Sequence, residues 1–170
     1  MAIAAETIAT QYLTFKLGEE MFALDIVKVR EVLDFTTVTK VPRMPDFMRG
    51  VINLRGSVIP VVDLRVKFGM AVSETTVHTC IIISEVTVDG YTTVLGALAD
   101  SVQEVLDLDM ANIAPAPRIG TKLRTDFIKG IGKQNDRFVI ILDIERVFSS
   151  DELAFTPAGQ PEIAGGAAAR

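Results

Sequence analysis

The chain has 170 residues, 49% of them hydrophobic, with a net charge of −5, one histidine, one cysteine and no tryptophan. That length buries a core as one domain or as two small ones. One cysteine excludes an internal disulfide, and the acid excess argues against the basic footprint of a nucleic-acid binder. No apolar run reaches the roughly 18–20 residues that cross a bilayer, and the start "MAIAAETIATQ" lacks a basic segment followed by an apolar one. A cytoplasmic protein with no direct membrane insertion is expected.

In chain order the elements read as β. Leu13, Phe15 and Leu17 alternate with Tyr12, Thr14 and Lys16, a period-2 strand. Gly18-Glu19-Glu20 turns the chain into a partner strand carrying Phe22, Leu24 and Ile26. "VKVREVL" fits a helical turn or a strand equally well. "MPDFMRG" predicts one helical turn begun after Pro45. Two apolar runs flank Asn53-Leu54-Arg55-Gly56 as a hairpin, and Asp63 is placed to cap a helical turn over Leu64–Phe68. Cys80 in "CIIISEV" reads as a small buried hydrophobe. That strand and "YTTVLGALA" form a hairpin around Asp89-Gly90. A last hairpin turns at Asn135-Asp136, Asp143 caps Ile144–Phe148, and Ser149 with Glu152 form a capping box. Thr156–Arg170 is a Pro/Gly/Ala tail in which disorder is expected.

The chain repeats itself. "VREVLD" (Val29–Asp34) recurs as "VQEVLD" (Val102–Asp107), 73 residues on, and Pro115 follows Pro42 at the same offset. After seven extra residues, "DFMRG" (Asp46–Gly50) recurs as "DFIKG" (Asp126–Gly130), 80 residues on, as do Asp63 at Asp143 and Phe68 at Phe148. Five short strands per copy predict a small closed barrel. The expected organisation is one barrel over 10–75, a second over 76–150, and a short terminal helix and tail over 151–170.

The repeat serves as an internal control. Positions alike in both copies belong to the fold, and positions that differ are where a task peculiar to one half can lie. Asp63 and Asp143 are alike, so capping outranks a catalytic carboxylate pair. Gly50 and Gly130 are alike and meet a backbone requirement. "NLRG" is not alike, since its counterpart is Lys133-Gln134-Asn135-Asp136. A hairpin here needs neither Leu54 nor Arg55, and an apolar residue beside arginines suits an interface anchor. Val29, Val32, Val102 and Val105 read as core from composition, or as the lining of a groove where two pseudo-symmetric halves meet. With a single histidine, His78, and no phosphate-binding glycine motif, the expectation is no enzyme, no metal and no cofactor. The competing readings are a tandem SH3/OB-like nucleic-acid-binding module and a hydrolase using Asp63 and Asp143.

Over "DIVKVREV", "RGVINLRGSVIPVVDLRVKF", "NIAPAP" and "FIKGIGKQNDRFVIILDIERVF" the chain resembles the CheW-like domain family of chemotaxis coupling proteins. The resemblance runs from about Gln11 to Leu153 and implies a mainly β fold. Two SH3-like five-stranded β-barrels, related by internal pseudo-symmetry, would carry short helices. It implies a non-enzymatic adaptor, monomeric in isolation, recruited to membrane receptor arrays. Its implied partners are the regulatory domain of the histidine kinase CheA and the cytoplasmic tip of methyl-accepting chemotaxis receptors. Carried over by motif, Glu31, Val32, Arg49, Gly50, Arg55 and Gly56 are the kinase and receptor interface candidates. Val29, Val102 and Val105 are the receptor-groove candidates. The hairpin over "ISEVTVDGYTTVLGALA" is longer than the common form of the family.

Overall fold

The computed structural model describes residues 10–72, 74–88, 90–109, 113–114, 127–134 and 136–147. The expectations on Asp89, Pro115, Asp126, Asn135, Phe148, the Ser149–Glu152 box and the 151–170 tail lie outside those residues. The chain forms β1 (Thr10–Leu17), β2 (Glu20–Asp25), a 3-10 turn (Ile26–Lys28), β3 (Val29–Asp34), β4 (Met48–Leu54) and β5 (Ser57–Asp63). After α1 (Leu64–Lys67) come β6 (Cys80–Val88), β7 (Tyr91–Ala99), β8 (Ser101–Leu108), β9 (Ile113–Ala114), β10 (Ile128–Gln134), β11 (Arg137–Leu142) and α2 (Ile144–Val147). "VREVL" is thus a strand. The segment after Pro45 is a β-turn, closed by Met48 N–H donating to the Pro45 carbonyl at 2.9 Å, and not the expected helical turn.

The strands make two mixed sheets, ordered β8-β1-β2-β11-β10-β9 and β3-β6-β7-β5-β4. The expected mainly β, SH3-like architecture holds, with the two-residue β9 as a sixth strand in one sheet. The division of strands does not follow the expected 10–75 and 76–150 boundary. Hairpin β1–β2 joins β8, β10 and β11 of the second repeat, and hairpin β6–β7 joins β3, β4 and β5 of the first. The exchange is reciprocal: β2 pairs in parallel with β11 as β7 does with β5. Both hairpins are buried on both faces over most of their length, so local periodicity carries no information about which set of strands a hairpin joins.

The exchange explains the dense apolar runs. Ile81 and Ile83 of β6 face a core with Ile52, Ile59, Val61 and Leu98, while Ile82 and Val86 face the junction of the two sheets. In β1, Leu13, Phe15 and Leu17 face the same junction and Tyr12 faces the core of its own sheet with Ala23, Val139 and Ile141. Strands buried on both faces read as continuous apolar runs. The junction is the largest core and includes a stack of Phe15, Phe22, Phe68 and Phe127 with successive centroids 6.0, 5.9 and 4.5 Å apart. Each fully buried side chain of this size contributes about 1.5–3 kcal/mol.

Four β-bulges recur at equivalent places. One lies at Arg30 of β3 and its relative at Gln103–Glu104 of β8; another lies at Arg49 of β4 and its relative at Lys129 of β10. In β8 the extra residue is satisfied by Thr14, whose Oγ donates to the Glu104 carbonyl at 2.8 Å and accepts from Glu104 N–H at 3.1 Å. Both expected aspartate caps form: Asp63 Oδ1 accepts from Arg65 N–H at 3.0 Å and Asp143 Oδ1 from Glu145 N–H at 3.2 Å. Cys80 is half-buried, not enclosed, because it opens β6 at the sheet margin, and burial pushes its thiol pKa up. A raised thiol pKa disfavours the thiolate, so the inert reading of Cys80 stands.

Candidate functional site

The hairpin β4–β5 turns on Arg55 and Gly56, with φ of 51° and 88°. Two positive φ values in a two-residue loop make the primed turn that matches strand twist. Asn53 Oδ1 fastens it by accepting from Gly56 N–H at 2.8 Å. The left-handed conformation suits glycine or asparagine, and an arginine there is disfavoured by on the order of 1 kcal/mol. In the second copy Asp136, the counterpart of Gly56, also has a positive φ, 67°. Arg55 therefore stands where the turn itself would not choose it.

The Arg55 guanidinium, 69% exposed, is ion-paired and hydrogen-bonded with Glu31 on β3. Glu31 follows the bulge at Arg30, which brings it into register with Ile83, on the face where Ile59 and Ile83 form a barrel core. A hollow of about 340 Å³ opens there, with Arg30, Glu31 and Arg55 over Leu54, Ile59 and Ile83. It is a mixed-charge rim around an apolar floor. An exposed pair of this kind contributes about 0–1 kcal/mol to stability, so its geometry matters more for recognition than for folding.

The four valines share a different face. Val29 pairs with Ser84 and Val32 with Ile82 across β3–β6; Val102 pairs with Phe15 and Val105 with Leu13 across β8–β1. Cross-strand partners lie on one face of a sheet, and Ile82, Leu13 and Phe15 all belong to the junction core. Val29 and Val102 are half-buried against that core, while Val32 and Val105 are 39% and 47% exposed. Two repeats thus carry the junction's apolar face out to solvent at equivalent positions.

Not every sequence candidate meets these surfaces. Gly50 is buried, with φ of 144°, and a Cβ there would stand 2.1 Å from the Thr39 carbonyl oxygen. Its bare backbone lets Thr39 bridge to Val51. Arg49, in the β4 bulge, donates to Asp63 Oδ2 at 3.3 Å. Asp63 is fully buried and also takes Arg65 Nε and Nη2 at 2.9 and 3.0 Å. Burial alone would raise the Asp63 pKa, but the Arg65 guanidinium and amide and the nearby Arg49 hold it below the ordinary 3.8. The pairing in turn raises Arg65, against the opposing effect of burial. Held between Arg49 and Arg65 and capping α1, Asp63 serves the fold.

Sequence reading named Glu31 and Arg55 separately and missed that they pair. It also missed Phe138, 66% exposed beside the last hairpin turn, and its repeat counterpart Val58, 50% exposed. Alternation with the buried Val139 and Ile141 was the available signal. Among the described residues no group of three or more histidine, cysteine or carboxylate side chains is placed to hold a metal ion. No helix there is long and apolar enough to cross a membrane.

A family model described as "CheW-like domain" matches residues 11–152. The chemotaxis protein CheW of Klebsiella aerogenes is 38% identical over 155 residues, covering 89% of this chain and 89% of that protein. A probable chemotaxis protein CheW of Rhizobium etli is 34% identical over 142 residues, covering 84% and 89%. The crystal structure of the scaffolding protein TtCheW from Thermoanaerobacter tengcongensis superposes with a TM-score of 0.75 at 36% identity, covering 85% of this chain and 96% of that one. With its two hairpin-exchanged sheets and this match over most of its length, the chain belongs to the CheW-like domain family.

Proposed function

We propose that the protein is a non-enzymatic chemotaxis adaptor that couples methyl-accepting receptors to the histidine kinase CheA. The observation that carries the reading is the valine margin. Val29, Val32, Val102 and Val105 continue the junction core to the surface from both repeats, as a helix-in-groove contact requires. The receptor's helical tip lies on that margin, and the kinase's regulatory domain meets the Glu31–Arg55 hairpin end. Two different surfaces on one molecule are what a linker in an array needs. Arg49 and Gly50 act by shaping the β4 bulge rather than by touching a partner, and Gly56 by permitting the turn.

The nucleic-acid alternative has no support: the relatives above are chemotaxis proteins and the chain is acidic. The test is reconstitution of receptor, kinase and this protein. Receptor-controlled kinase activity rises with the wild type and falls with Arg55→Ala and with Val105→Asp, each checked for folding by circular dichroism. Unchanged activity on adding the wild type with cognate partners removes the adaptor reading.

A further inference from the structure

The end of hairpin β6–β7 is supported differently from the rest of its sheet. β3 pairs with β6 only over Cys80–Ser84, and β5 pairs with β7 only over Gly96–Leu98. From Glu85 to Val94 the two strands have only each other as ladder partners among the described residues. This end nonetheless lies docked. Val86 is fully buried in the junction core with Leu95, Ile144 and Val147.

One side chain ties it down. Glu145 of α2 accepts from Thr87 N–H at 3.0 Å and from Lys28 Nζ at 2.9 Å through the same Oε2. The docked face carries a defect as well. Ser84 Oγ and Thr93 Oγ1 are buried with no hydrogen-bond partner among the described residues, and their register partners Leu95 and Val86 place both on that face. A desolvated hydroxyl left unmatched weakens the docking that buries it.

Hairpin β1–β2 is held more firmly at the equivalent place. Gly18 N–H donates to Asp100 Oδ2 at 2.6 Å, and Asp100 Oδ1 accepts from the buried Arg65 at 2.8 Å. Its junction face is wholly apolar, with Leu13, Phe15, Leu17, Phe22 and Leu24. Phe15, at the place Ser84 occupies in the other hairpin, stacks on Phe22.

We propose that residues 85–88 and 90–94 form a strap that undocks from α2 as a unit while the rest of both sheets stays folded, with Glu145 as its catch. Undocking uncovers apolar surface of the junction beside Val29, whose register partner Ser84 marks the strap's root. The strap rests on this geometry alone and does not depend on the adaptor reading.

Native-state hydrogen exchange on the full chain tests it. Amides between Glu85 and Val94 exchange through an opening smaller than global unfolding, the behaviour of a locally cooperative unit. Glu145→Ala and Glu145→Gln raise exchange there on the order of tenfold, because a charge-assisted bond is lost, and raise it in β1–β2 by no more than the loss of global stability. Thr93→Val slows it by removing an unmatched hydroxyl at nearly constant shape. The proposal is overturned if the 85–94 amides exchange only with global unfolding, at the β1–β2 rate, in wild type and variants alike. Should Glu145→Ala not fold, Glu145→Gln and Thr93→Val decide the matter.

Discussion

At one end of the junction Arg65 joins Asp63 to Asp100, and Asp100 takes the Gly18 amide. At the other end Glu145 joins Lys28 to the Thr87 amide. Both latches tie a post-strand helix to a residue just after one hairpin and to an amide near the turn of the other. Their charges are reversed and their burial differs. Arg65 and Asp63 side chains are 5% and 1% exposed, against 38% and 29% for Lys28 and Glu145. The fold fixes where a latch must be; burial fixes how much a latch matters.

The sharpest way to test that comparison is to break each latch. Arg65→Ala leaves Asp63 without its principal partner in the interior and is expected to cost about 3–5 kcal/mol in urea unfolding. Glu145→Ala is expected to cost about 1 kcal/mol, within the range of a half-exposed pair. Equal losses would show that burial is not what separates the two ends.

A second comparison sets the glycines against each other. Gly50→Ala meets a backbone oxygen at 2.1 Å with positive φ and is expected to cost about 3 kcal/mol. Gly130→Ala meets Ile113 Cγ2 at 2.5 Å and the Ala114 carbonyl oxygen at 2.9 Å but has no positive φ to strain, and about 2 kcal/mol is expected. Paired thermal melts read the difference directly.

The latches also differ in how pH reaches them. Burial raises Asp63 and Glu145, but their cationic and amide partners win, so both lie below the ordinary 3.8 and 4.5. A depressed carboxyl stabilises above its unfolded pKa, and that contribution is lost as pH falls through the folded pKa. Lys28 is raised above 10.5 by Glu145, so its contribution holds below that value and is lost as pH rises through the folded pKa. Asp63→Asn should therefore flatten the acid arm of a stability–pH curve, below about pH 4. Lys28→Met should flatten the alkaline arm and, in part, the Glu145 share of the acid one.

The smallest effect concerns the hairpin turns. Arg55→Asn relieves the left-handed arginine but loses the Glu31 pair, so stability should change by no more than about 0.5 kcal/mol. Partner binding should weaken measurably in the same variant. A large loss of stability would make Arg55 structural and return the two hairpin tips to equivalence.

Much of this was legible in the chain. Period-2 alternation marked Leu13, Phe15 and Leu17, and the aspartates before Leu64 and Ile144 announced their caps. The repeat exposed Arg55 as a residue its turn does not require, and the turn dihedrals give the reason. The helical turn expected after Pro45 failed because Met48 enters β4 at once, with Asp63 N–H donating at 2.6 Å to the carbonyl of Phe47 just before it. That Arg49 pairs with Asp63 was not legible, because nothing in "FMRGV" shows the bulge that brings the two together.

Strands, turns and caps were determined by the sequence itself, since each depends on residues within a few positions of one another. Only the tertiary structure decided that the two repeats exchange hairpins, because apolar faces alike in both copies cannot choose between partners some 70 residues apart. Across the exchanged junction Arg65 of the first repeat meets Asp100 of the second, and Lys28 of the first meets Glu145 of the second, ion pairs between residues too far apart in the chain for local pattern to foretell.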